Sequence, residues 1–182
     1  MLKKVVLVIV LILGLSLASP AAAAVCLPSG QPAPPFAIKS GEDQKLTLNM
    51  VLGKVVVLFY EDRNAVDKND ELKDELISLY RKQPASVRQE IFRLVVIDCS
   101  KASFPSKSIW KKKLAEHSRS LGLTIYGDWN LQMLRDYQLR QNDSNFVIID
   151  QNGLIRYSAA GKIRNGEFPQ IKALLTSVVQ GN

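Results

Sequence analysis

Two thiols, Cys26 and Cys99, are the side chains of this sequence best suited to nucleophilic or redox work. A thiolate attacks disulfides and peroxides, so either cysteine would need a depressed pKa and access to solvent to be catalytic. Cys99 closes the string Asp98-Cys99-Ser100 after the apolar run Ile91 to Ile97, which puts it at the end of an expected central strand. In that position it could act alone, or with Cys26 resolving its sulfenic acid, as a thiol oxidoreductase or peroxidase. The competing reading is a buried cysteine or a Cys26–Cys99 disulfide, which would close a loop of about seventy residues and add roughly 4 kcal/mol in the chain-entropy model. A second candidate is the polar loop Asp62, Arg63, Asn64, Ala65, Val66, Asp67 and Lys68, followed by Asp70, which could hold a ligand or present a solvated surface. It lacks the central glycine and closing acid of an EF-hand, and His117 is the only histidine, so neither a metal nor any other cofactor is expected.

These residues depend on a regular alternation of strands and helices. The run Val55 to Tyr60, β-branched and aromatic without polar alternation, predicts a strand covered on both faces. From about Val66 to Pro84 the spacing of Leu72, Leu76, Leu79 and Tyr80 predicts a helix. The strand over 91–97 is followed by a helix capped by Ser106 or Ser108, with Ile109, Trp110, Leu114 and Leu121 on its apolar side, ending before Gly122. Lys107, Lys111, Lys112, Lys113 and Arg119 make that helix basic, and Trp129 follows a short strand over 123–126. A helix over 131–139 precedes a strand over 146–149, and Asp150-Gln151-Asn152-Gly153 turns it into a returning strand over 154–159. Pro169 opens the last helix, with Ile171, Leu174, Leu175 and Val178 on its buried face. The expected fold class is α/β, a central mixed sheet flanked by helices behind an N-terminal extended segment. Its functional edge lies at the carboxyl ends of the parallel strands, where the 61–67 loop would meet Asp98, Cys99 and Ser100.

The first 24 residues read as a cleavable export signal: Lys3 and Lys4, an apolar run from Val5 to Leu15, then Ala22-Ala23-Ala24 as a small-residue cleavage site. The run is shorter than the roughly 20 residues that span a bilayer. Cys26 raises the alternative of a lipoprotein, against which Val25 counts as a bulky residue before the lipid-accepting position. Residues 25–44, rich in proline, are expected to form an extended lead-in, and residues 45–182 the domain. Loss of Lys3 and Lys4 lowers the formal charge from +7 to +5, too small a surplus to indicate a nucleic-acid partner.

Three strings carry a family resemblance. Gly30-Gln31-Pro32-Ala33-Pro34-Pro35-Phe36 is similar to a G-x-x-A-P-x-F opening. Gly53-Lys54-Val55-Val56-Val57-Leu58-Phe59-Tyr60 is similar to a G-K-v-v-v-l-F-F/W strand. Phe146 to Ile155 is similar to an f-v-I-D-x-x-G-x-I hairpin. In this order they resemble the thioredoxin-like superfamily, in the form shared by AhpC/TSA peroxiredoxins and exported TlpA-like oxidoreductases. The G-Q-x-x-P-P opening and cysteine-free first loop also resemble the YtfJ-type exported proteins. The resemblance implies a thioredoxin fold but not its chemistry. Where TlpA-like proteins carry W-C-x-x-C, this sequence has Arg63-Asn64-Ala65-Val66-Asp67, and in the peroxiredoxin register Ala65 and Lys68 replace threonine and cysteine. Ser144-Asn145 stand where the family places its cis-proline, so a trans bond and an altered loop are expected.

The residues together lead to the expectation of a periplasmic or secreted, non-catalytic binding or accessory protein. It would engage a protein or small-molecule partner of the cell envelope through the former active-site edge. Thiol chemistry at Cys99 is the alternative; contact with the membrane through the basic helix ranks below a solvated helix face.

Overall fold

The computed structural model describes residues 26–102 and 105–181, so the expected export segment lies outside the described residues. Seven strands, β1 (Ala37–Ser40), β2 (Lys45–Thr47), β3 (Val55–Glu61), β4 (Ile91–Asp98), β5 (Ile125–Asp128), β6 (Ser144–Ile149) and β7 (Ile155–Ala160), form one sheet in the order β2-β1-β5-β4-β3-β6-β7. The pairs β3–β4 and β4–β5 are parallel, and all others are antiparallel. The helices are α1 (Asp70–Lys82), α2 (Ala85–Gln89), α3 (Ser106–Leu121), α4 (Gln132–Asp136) and α5 (Phe168–Val179). The sheet is mixed and flanked by helices, as its order of elements predicts.

Strand β3 is buried along its whole length because both faces are covered. Alternation sends Val56, Leu58 and Tyr60 into one core with Phe36, Ile38 and Tyr137, and Val55, Val57 and Phe59 into the other with Leu72 and Ile171. Phe59 and Phe146 meet across the β3–β6 pair with ring centroids 4.8 Å apart.

The lead-in is more than an extended approach. Its Ala37–Ser40 segment is a sheet strand between β2 and β5, and before it the Gly30 and Ala33 N–H groups donate to Ile155 O and Gly153 O. A domain boundary at residue 45 therefore cuts through the sheet. Burial explains the difference: Ile38 and Ser40 point inward while Ala37 and Lys39 point out, an alternation too short to stand out among prolines.

Three other expectations shift. Helix α1 starts at Asp70 rather than near Val66, after the polar turn 62–69. The N-cap position of helix α3 is Pro105 rather than Ser106 or Ser108, Ser108 Oγ donates back to Pro105 O, and Ile109 and Leu121 of its expected apolar side are exposed. Strand β5 lies over Ile125–Asp128, because parallel pairing with Val95 to Asp98 carries it through Gly127 and Asp128 despite their poor strand propensity.

Candidate functional site

Each of the parallel strands β3, β4 and β5 ends in acid: Glu61 with Asp62, then Asp98, then Asp128. Parallel packing brings these ends to one edge of the sheet, and β6 enters the same edge antiparallel, with Ser144 opposite Glu61 and Asn145 opposite Tyr60. The recurrence of acid after each apolar run is a sequence signal that strand-by-strand reading misses.

The loop over 62–68 is only partly solvated. Arg63, Asn64, Val66 and Asp67 are exposed, whereas Asp62 and Ala65 are buried and Lys68 is half-buried. Asp62 folds the loop on itself, accepting the Asn64 N–H on Oδ1 at 2.9 Å, while its own N–H donates to Asp143 O at 3.0 Å. Lys68 pairs with the Asp143 carboxylate, and Lys101 Nζ lies 3.6 Å from Asp62 Oδ2. The Arg63 guanidinium stands 5.5 Å above the Trp110 ring of α3. Asn69 gives α1 no side-chain cap because its amide is engaged elsewhere: Nδ2 donates to Ser144 Oγ and Gly161 O, and Oδ1 accepts the Ile163 N–H, each at 2.9 Å.

Ser144 and Asn145, where the sequence resemblance implies a proline, are fully buried and fully used. Ser144 Oγ donates to Glu61 Oε1 at 2.9 Å. Asn145 Oδ1 accepts the Arg140 N–H at 2.8 Å, and its Nδ2 donates to Arg140 O and Tyr60 O. Burial raises the Glu61 pKa against the pull of Lys73, whose Nζ lies 3.0 Å away. Glu61, Asn69, Lys73, Asp128 and Asp143 are the structural residues of this edge that motif comparison alone does not single out.

Cys26 and Cys99 are both buried free thiols, so of the two bland alternatives the structure has the buried cysteine and not the disulfide. Cys26 Sγ is turned toward Asn145 Oδ1 on β6 at 3.8 Å, whereas the Cys99 N–H donates to Asp128 O on β5 at 3.0 Å. Strands β4 and β3 lie between β5 and β6, so the two sulfurs are held by different parts of the sheet. Burial, then the charges of Asp98 and Asp128, push the Cys99 thiol up to about 12. Burial also raises Cys26, partly offset by Arg140. Neither site has the electropositive, accessible surroundings that make a reactive thiolate.

Beside Cys99, Tyr60 Oη donates to Asp128 Oδ2 at 3.2 Å, and burial with the Asp128 charge raises its pKa. Asp128 in turn accepts the Gln132 and Leu134 N–H groups at the start of α4. Asp98 Oδ1 accepts from both Ser100 N and Ser100 Oγ, while Oδ2 is the one buried side-chain oxygen or nitrogen without a partner among the described residues. No group of three or more His, Cys, Asp or Glu among the described residues is placed to hold a metal. His117 is exposed on α3, and the basic side of that helix is partly paired, Lys111 with Asp43 and Arg119 with Glu42. Trp129 is half-buried, its indole N–H donating to Lys39 O at 3.4 Å. No helix among the described residues is long and apolar enough to cross a membrane.

This topology, with its loop after β3 and its β6–β7 hairpin, is that of a thioredoxin-like fold. Solved structures agree: a protein described as the thiol:disulfide interchange protein DsbE from Chlorobium tepidum matches at TM-score 0.60 and 16% identity over 84% of this chain and 99% of its own. BsSco, of the Sco family of cytochrome c oxidase assembly proteins, matches at 0.58 and 12% over 87% and 100%. A thiol peroxidase from Chromobacterium violaceum matches at 0.57 and 12% over 84% and 88%. No family model matches the sequence, and neither does any curated protein.

Proposed function

We propose that this chain is an exported thioredoxin-fold protein that binds a protein or small-molecule partner of the cell envelope and performs no thiol catalysis. The observation that carries the proposal is the state of its sulfur. The loop after β3 contains none, and Cys99, which follows β4 at that edge, is 1% exposed and raised to about 12 by burial and two carboxylates. At pH 8 such a thiol is ionised in only about one molecule in ten thousand. In place of a nucleophile the edge offers the exposed groups of Arg63, Asn64, Val66 and Asp67, on a frame fixed by Asp62, Lys68 and Asp143. Such a frame suits recognition, since it holds surface side chains without exposing a reactive group.

The test is a comparison of variants in a strain lacking the gene. The double variant Cys26→Ala/Cys99→Ala is expected to complement, and purified wild-type protein to catalyse neither dithiol–disulfide exchange nor peroxide reduction. Arg63→Ala/Asp67→Ala, folded to the same melting temperature, is expected not to complement. Turnover that Cys99→Ser abolishes would establish the enzymatic alternative instead.

A further inference from the structure

The sheet face opposite the Tyr60 core is left uncovered between α1 and α3, forming an apolar trough of about 680 Å³. That volume falls within the range of small-molecule sites. Its floor is the outward row of β4, Ile91, Arg93, Val95 and Ile97, each half-buried where Leu94, Val96 and Asp98 of the inward row are buried. Leu76 and Tyr80 of α1 form one wall and Leu121 of α3 the rim of the other.

Charge within the trough is unevenly matched. Near the carboxyl end of β4 the lining is acidic, with Asp67 and Asp74 beside a Lys73 that pairs with Glu61 at 3.0 Å and with Asp70 at 3.3 Å. Toward the amino end stands Arg93, on a central strand opposite Val57, with no carboxylate partner among the described residues. Its guanidinium is held 4.7 Å over the Tyr80 ring, which orients a cation without neutralising it. A half-buried guanidinium in apolar surroundings keeps its unused donors for an anion, and its planar fork suits a carboxylate. From Arg93 to Ile97 the floor extends about 13 Å at roughly 3.3 Å per residue, room for an alkyl chain of roughly ten carbons.

We propose that this trough binds a single-chain alkyl carboxylate, the carboxylate on Arg93 and the chain lying along Val95 and Ile97 between α1 and α3. The trough borders the loop after β3, sharing Val66 and Asp67 with it, but its anchor is Arg93, so loss of dodecanoate binding in Arg93→Met and loss of complementation in Arg63→Ala/Asp67→Ala are separate outcomes. Concavity favours a chain-like ligand, and the unpaired cation at one end fixes its direction.

Calorimetric titration of the protein with dodecanoate and with dodecan-1-ol, below the self-association limit of each, tests this. Dodecanoate is expected to bind at one site and at least tenfold more tightly than the alcohol. Arg93→Met should reduce dodecanoate to the level of dodecan-1-ol while leaving the alcohol unchanged. Leu121→Glu, on an exposed rim residue that the fold does not need, should weaken dodecanoate more than the alcohol. Absence of saturable dodecanoate binding, or an acid-to-alcohol ratio that neither variant alters, would overturn the proposal. So would tighter binding of an apolar peptide ending in a free carboxylate, or a sedimentation-detected dimer that Leu121→Glu dissociates and dodecanoate leaves intact.

Discussion

Cys99 and Gly127 show how closely this fold encloses its sulfur. A Cβ added at Gly127 would lie 2.9 Å from Cys99 Sγ and 2.9 Å from the Trp129 indole, distances at which something must move. The glycine is needed for space, since β5 has to run beside β4 with the thiol and the indole packed over it. Gly127→Ala is therefore expected to destabilise the protein by about 1–3 kcal/mol through overpacking. Cys99→Ala removes one of the two obstacles, so the double variant should be more stable than the two single effects predict, by about 0.5–1 kcal/mol. Urea unfolding of the four proteins measures that coupling, and strict additivity would assign the constraint to the indole alone. The same enclosure keeps Cys99 protonated: with water excluded and Asp98 and Asp128 adjacent, charge on sulfur is opposed from every side.

At the scale of elements, Asp143 joins the loop after β3 to the start of β6. Its carboxylate takes Lys68 and Arg140, and also accepts the Ser144 N–H. Burial pushes this carboxyl upward, but the Lys68 bond, the Ser144 N–H and the two cations outweigh burial and leave its pKa below the ordinary aspartate value. A depressed folded pKa means that the unfolded chain binds the proton first on acidification. The stabilisation is therefore complete above the unfolded value of about 3.9 and is lost as pH falls through the folded one. Asp143→Asn should thus cost about 2 kcal/mol at pH 7, with the wild-type and variant stabilities converging as pH falls through the depressed folded value. Denaturant midpoints across that range decide it; a gap independent of pH would assign the loss to neutral hydrogen bonding. These joints also mark the limit of what the sequence alone discloses. The β3, β4 and β6 runs are legible because continuous apolar stretches predict covered strands, and the missing sulfur after Tyr60 is visible by simple alignment to a motif. Asn69, Asp143 and Ser144 are not legible in this way, because their partners lie 75 or more residues away or depend on which strand β6 adjoins. A polar residue in a turn has no local pattern announcing that its amide will be buried against another loop.

For the whole molecule, the lead-in decides whether the sheet has one covered face or two. Residues 26–36 run across the Tyr60 core: the Gly30 N–H donates to Ile155 O at 2.7 Å, the Ile155 N–H to Gln31 O at 2.9 Å, and the Ala33 N–H to Gly153 O at 2.8 Å. Tyr137 Oη donates to Pro34 O at 2.9 Å, and the Cys26 N–H to Gln138 O at 2.8 Å, so the strap fastens the β6–β7 hairpin and the segment after α4 together. Prolines suit such a strap, because a chain already restricted to extended geometry loses less entropy when it docks. Removing residues 27–35 would expose the Ile155 and Tyr137 side of the core and leave backbone groups of the hairpin turn without their partners. The shortened chain is expected to lose on the order of 3–5 kcal/mol, to bind a hydrophobic dye, and to be cleaved by protease within the hairpin. An unchanged urea midpoint and slope in the shortened chain would instead make the strap a dispensable tether. The expected loss follows from topology: β6 and β7 sit at one end of the sheet, β1 and β2 at the other, and the strap continues from the hairpin directly into β1. It links the two ends across the core that supports Tyr60, Asp128 and Asn145, so weakening it should loosen the sheet edge on which recognition is proposed.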